Sequence, residues 1–93
     1  MNSKYSSRDF YLSAFFIARG CPLIGHSRVN QTTLFEFEET AELRKLVEQY
    51  YSMTALIEPM AYGAAIRSLK SVIHAANTNA KEQLNNGNNF NNR

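Results

Sequence analysis

Phe10-Tyr11-Leu12-Ser13-Ala14-Phe15-Phe16-Ile17-Ala18 is apolar or aromatic at every position except Ser13. A helix that is apolar on nearly every side has to be wrapped by other elements, so this stretch predicts the central helix of a small domain. Its boundaries are marked in the flanking residues. Ser6 followed by Asp9 resembles an N-terminal capping pair, with Tyr5 placed to staple onto Phe10. Gly20 supplies the left-handed residue that ends a helix, and Pro22 forbids its continuation.

Working outward, Met1 to Tyr5 has no periodicity and is expected to form a loose arm. Leu23 to Ser27 and Thr32 to Phe37 flank Arg28-Val29-Asn30-Gln31, which predicts an antiparallel hairpin with these four residues in the turn. Alternation in the second strand sends Phe35 and Phe37 to the core and Glu36 and Glu38 outward. Thr40 caps a second helix over 41–51, in which Leu43, Leu46, Val47 and Tyr50 face the core. Residues 53–57 are expected to form a short third strand added to the hairpin, the alternative being an extended plug carrying Leu56 and Ile57. Glu58-Pro59 opens a last helix, with proline where its missing N–H costs nothing. In it Tyr62, Ile66, Leu69, Ile73 and Ala76 form a stripe expected to lie along the first helix, with Gly63, Ala64 and Ala65 allowing close approach.

The resulting expectation is an α+β domain over 1–80, with element order α-β-β-α-(β)-α, followed by a polar tail over 81–93. From Asn77 onward eight of seventeen residues are asparagine, so the tail has little to bury against its ordering entropy and is expected to be disordered. At 93 residues the chain supports one core.

Charge is distributed unevenly beneath a net +2. Residues 1–28 carry Lys4, Arg8, Arg19 and Arg28 against Asp9; residues 29–60 carry Arg44 and Lys45 against six glutamates; residues 61–93 are again basic, with Lys81 and Arg93 in the tail. Lys4 and Arg8 ahead of the apolar run, with Cys21 behind it, imitate a lipoprotein signal. Arg19 at the would-be cleavage site and Asp9 at the head of the run contradict it, and the run is far short of the ~20 residues of a membrane span. A cytoplasmic protein without a membrane partner is the expectation. The single cysteine fits a reducing compartment and a packed thiol.

The sequence holds no glycine-rich phosphate loop, paired-cysteine metal motif, zincin helix or nucleophile elbow. Cys21, His26 and His74 stand at unrelated spacings, and Glu36, Glu38, Glu39 and Glu42 read as a solvated acidic surface rather than a cation site. No enzyme and no cofactor are expected. Two interaction surfaces can be named instead. Arg67, Lys70 and His74 recur at helical spacing on the last helix, and with Arg19 and Arg28 could face phosphates. Glu42, Lys45 and Glu48 lie on the outer side of the second helix and could dock a protein, as could an apolar patch. A protein partner is the first expectation and nucleic acid the second. Three cations per chain would bind nucleic acid usefully only in a dimer or larger assembly.

Ser7-Arg8-Asp9-Phe10-Tyr11-Leu12-Ser13-Ala14-Phe15-Phe16-Ile17-Ala18-Arg19-Gly20, Leu34-Phe35-Glu36-Phe37, Ile57-Glu58-Pro59 and Leu69-Lys70 together resemble an uncharacterised family of small bacterial, phage and mobile-element proteins. The matching residues are mainly core and capping positions. The resemblance therefore implies a shared fold and assigns no site. Glu58 departs from the aspartate that tends to precede the proline in that family.

Overall fold

The computed structural model of the protein describes residues 3–84, with side chains through residue 76. Its elements are β1 (Ser3–Ser7), α1 (Phe10–Ala18), β2 (Leu23–Val29), β3 (Thr32–Glu39), α2 (Ala41–Tyr51) and α3 (Pro59–Leu84). The α+β class is as expected, but its third strand is not. Residues 53–57 form no strand; the sheet is completed by β1, from the segment expected to be a loose arm. The order is β1-β3-β2, antiparallel throughout, with Tyr5 opposite Phe37 and Ser7 opposite Phe35. β1 contributes one aromatic and a row of backbone hydrogen bonds, so it leaves almost no hydrophobic pattern to detect.

The start of α1 differs for the same reason. Ser6 belongs to β1, and the N-cap is Asp9, whose Oδ1 accepts the Tyr11 and Leu12 amides at 3.1 Å. Ser7 Oγ accepts the Asp9 amide at 3.1 Å, and Ser13 Oγ donates to the Asp9 carbonyl at 2.9 Å. This is how the one polar residue of the apolar run is buried without an unmet hydrogen bond. Tyr5 packs edge-on against Phe16 at 5.6 Å, and Phe10 turns instead to Phe35 at 6.5 Å.

α1 is wrapped as its composition requires. Leu12, Ala14, Phe15 and Phe16 are fully buried with Phe35, Phe37, Leu43, Leu46, Ala65 and Leu69. Phe16 and Phe37 meet at 4.9 Å, and α3 packs on α1 through Ala65 and Leu69, flanked by the half-buried Tyr62, Ile66, Val72 and Ile73. Of the small residues expected at this contact only Ala65 is buried; Ala64 faces solvent. With 26 residues α3 is about 39 Å long against about 14 Å for the nine-residue α1, so it outruns its partner. It includes Lys81–Leu84, assigned from sequence to the tail. The expected disorder of the remaining tail lies outside the described residues.

The hairpin turn is shorter than expected. Val29 pairs with Thr32, leaving only Asn30 and Gln31 in the turn, with φ of 52° and 69°, the positive values that match a two-residue turn to strand twist. Arg28 consequently lies in β2, opposite Thr33.

α1 and α2 end in the same way. After α1, the Gly20 amide donates to Ile17 and the Cys21 amide to Phe16, with Gly20 at φ 95°. After α2, the Met53 amide donates to Tyr50 and the Thr54 amide to Gln49, with Met53 at φ 64°. Both are Schellman motifs, whose left-handed position favours glycine because a Cβ there crowds the following carbonyl. The second places methionine there instead, 91% exposed.

Met53→Gly should therefore stabilise the domain, by a net gain of about 0.5–1 kcal/mol after the greater unfolded-state freedom of glycine is counted. Thermal unfolding followed by circular dichroism should show a midpoint a few degrees higher, by about 4–8 °C per kcal/mol.

Candidate functional site

The residues of the two surfaces predicted from sequence are all exposed. Arg67, Lys70 and His74 lie exposed along α3. Arg19 stands at the C-terminal end of α1, where its Nη1 donates to the Leu56 carbonyl at 2.9 Å and its guanidinium lies 5.8 Å from the Phe15 ring centroid. Arg28 is on the sheet, on a strand that pairs with β3, whereas α3 packs chiefly on α1. On α2, Glu42, Lys45 and Glu48 are all exposed, beside an ion pair of Arg44 with Glu39 at 3.6 Å. Cys21 is half-buried, His26 and His74 are exposed, and burial pushes the thiol pKa up, with the Glu42 charge adding to it and Arg19 opposing. Among the described residues no three of His, Cys, Asp and Glu gather to hold a metal ion.

A different surface emerges on the connector between α2 and α3 together with the helix ends that flank it, Tyr51 and Met60. Tyr51, Met53, Leu56 and Met60 are 60%, 91%, 80% and 78% exposed, while Ala55 and Ile57 turn inward against the core. Four large apolar side chains within ten residues of chain face solvent. The connector is strapped to both ends of α1. Tyr51 Oη donates to Asp9 Oδ2 at 3.2 Å at the first end, and Arg19 holds the Leu56 carbonyl at the other. Each bond occupies a group that also serves α1, Asp9 as its cap and Arg19 as its last contact with Phe15.

Beside Leu56 the connector forms one wall of an open groove of about 600 Å³, lined by Ala18, Arg19, Gln49, Leu56, Glu58 and Ala61, among others. Glu58 is a working cap for α3: its Oε1 accepts the Ala61 amide at 2.8 Å. The groove thus carries one cation and one anion among apolar residues and the uncharged polar Gln49 and Thr54. Among the described residues, Arg19 and Glu58 are not ion-paired with each other.

At the Asp9 end, tyrosines collect. Tyr62 Oη donates to the Tyr11 carbonyl at 3.1 Å, and Tyr50 and Tyr51 meet edge-on at 5.2 Å. Burial raises the Tyr50 and Tyr62 pKa values, and the Asp9 carboxylate and neighbouring phenols raise them further. Tyr51 is shifted the same way by partial burial, then by the Asp9 charge and the hydrogen bond to it. Because the folded state favours the neutral phenols, the stability they confer is complete below the unfolded value near pH 10 and is lost as pH rises through the folded ones. A titration of tyrosinate absorbance should run to higher pH in the folded protein than in urea, and the melting temperature should fall above pH about 10. Tyr51→Phe should remove one of the delayed phenols without unfolding the domain.

Sequence reading missed this connector because its exposed residues are apolar, and apolar residues near a helix end are ordinarily assigned inward. The available signal was Met53, two residues beyond the end of α2, where a glycine would be usual.

Among the described residues no helix is long and apolar enough to cross a membrane. No curated protein and no solved structure matches the chain. A family model matches residues 2–75, from the strand that completes the sheet through most of the α1–α3 contact, and the chain belongs to that family, Domain of unknown function (DUF5659).

Proposed function

We propose that this protein is a non-enzymatic interaction module that docks on protein through the connector surface of Tyr51, Met53, Leu56 and Met60. The observation that carries the reading is Met53, held left-handed with its side chain in solvent. A residue that costs folding stability and buries nothing in its own domain is accounted for by what it touches elsewhere. Methionine suits such a contact because its flexible, polarisable side chain adapts to a partner's surface, and tyrosine is enriched at interface centres. The exposed Glu42, Lys45 and Glu48 face of α2 is a weaker basis, since burying charges there costs desolvation that a partner must offset. Resemblance to small bacterial, phage and mobile-element proteins fits an accessory role in the cytoplasm.

The test is site-specific photocrosslinking in the native host, with the photoreactive amino acid placed at Met53, Leu56 or Met60 and, as controls, at Glu48 and Lys70. Adducts to protein from the three connector positions and not from the controls are expected. Crosslinking from Glu48 alone would transfer the docking role to α2, and the absence of adducts from the connector would refute its role. Met53→Gly should weaken partner capture while raising thermal stability, a combination that general destabilisation cannot produce.

Nucleic-acid binding by the α3 stripe is the second reading, favoured by the joint exposure of Arg67, Lys70 and His74. It requires weak oligonucleotide binding that falls steeply with salt, at most about three phosphate contacts per chain, and is lost in the Arg67→Glu, Lys70→Glu double variant.

A further inference from the structure

We infer that the occupant of the connector surface is a second copy of this chain, related by a two-fold axis passing through the groove between Arg19 and Glu58. The inference rests on the docking reading above and adds the identity of the partner. A two-fold interface must be self-complementary, because each patch meets its own image. This groove meets that requirement. Its cation, Arg19, and its anion, Glu58, line the same opening and are not paired with each other, so rotation by 180° sets each Arg19 against the Glu58 of the other copy and forms two ion pairs at once.

Both groups retain capacity for such a bond. Arg19 has Nη1 on the Leu56 carbonyl, which leaves the rest of its guanidinium fork, and Glu58 uses Oε1 on the Ala61 amide, which leaves Oε2. Leu56, 80% exposed, lines the same groove, and Met60, 78% exposed, follows two residues after Glu58; the second copy would cover both with the same residues. Ala64, one turn beyond Met60, is exposed and small, while the Arg67 side chain lies over Gly63, its Nη1 3.6 Å from where a Cβ there would stand. The groove sums to zero charge and does not repel its image, unlike the Glu42 and Glu48 face of α2 or the Arg67, Lys70 and His74 face of α3.

The experiment is sedimentation equilibrium of the full chain from micromolar to millimolar concentration, with circular dichroism to confirm folding of each variant. The wild type should show a monomer–dimer equilibrium, and Leu56→Asp should weaken it on the order of tenfold or more. Arg19→Glu alone and Glu58→Arg alone should each weaken self-association comparably, by setting like charges opposite one another. Mixing the two single variants should restore dimers, since a copy carrying Arg19→Glu, set against a copy carrying Glu58→Arg, regenerates both ion pairs with their signs exchanged at one of them. A wild type that stays monomeric at millimolar concentration would overturn the inference, while connector crosslinks to a different protein would leave the docking reading standing. A dimer indifferent to both charge reversals, or single variants that fail to recover on mixing, would likewise overturn it. Should Glu58→Arg unfold through loss of its cap, the pair Arg19→Glu and Glu58→Gln, expected to recover only partly on mixing, serves in its place.

Discussion

Phe16→Ala and Phe35→Ala are each expected to lower stability by about 3–5 kcal/mol, a large part of what holds so small a domain folded. Phe16 is fully buried and touches both aromatic neighbours that bind α1 to the sheet, Phe37 at 4.9 Å and Tyr5 at 5.6 Å. Phe35 is 1% exposed and takes Phe10 at 6.5 Å on the same layer. Removing either ring leaves a cavity between α1 and the strands that neighbouring aromatics cannot fill without breaking their edge-to-face contacts. A domain of about 80 ordered residues has roughly 4–12 kcal/mol in total, so the loss is of the same order as the whole. Urea denaturation monitored by circular dichroism would measure it. A midpoint unchanged in both variants would show that α1 is not the centre of the fold.

A chain lacking residues 1–7 is expected to lose its cooperative unfolding transition altogether. The deletion removes β1, with it the Tyr5 ring against Phe16, and opens the backbone of β3 along Phe35–Glu39 to solvent. The side chain of Ser7 is lost as well, and with it the bond that positions Asp9 as the N-cap. What remains of the sheet is a two-stranded hairpin, marginal on its own, with an exposed edge prone to pairing between chains. The measurement is differential scanning calorimetry with dye binding to exposed apolar surface: the full chain should melt in one transition and the truncated chain should bind dye at all temperatures. Retention of a sharp transition would mean that β1 merely decorates the sheet. Tyr5→Ala separates the contributions, because it deletes the ring and keeps the strand.

How much of the molecule was legible beforehand follows from how strongly each segment is specified locally. The run Phe10–Ala18 could only be a buried helix, Thr40 with Leu43 and Leu46 could only begin an amphipathic one, and the Phe35 and Phe37 alternation fixed which face of β3 turns inward. β1 was illegible because an edge strand can be held by backbone hydrogen bonds to a neighbour, which a sequence of Ser, Lys and Tyr does not advertise. Asp9 was recognised as a capping group but placed one role too late, at the third position of a cap led by Ser6; only the strand that claims Ser6 and Ser7 makes Asp9 itself the cap.

The surfaces divide along the same line. That Arg67, Lys70 and His74 share a side of α3, and Glu42, Lys45 and Glu48 a side of α2, is a consequence of helical spacing and needed no tertiary information. The hydrogen bond of Arg19 to the Leu56 carbonyl, by contrast, depends on where the connector runs. Sequence by itself thus determined the identity of the core, the helices and the hairpin, because burial periodicity and capping are properties of neighbours along the chain. Only the tertiary structure decided that an N-terminal strand closes the sheet, that Leu56 and Met60 face water while Ile57 does not, and that Arg19 and Glu58 share one groove. Those outcomes depend on contacts between residues tens of positions apart, whose free energies no local pattern encodes.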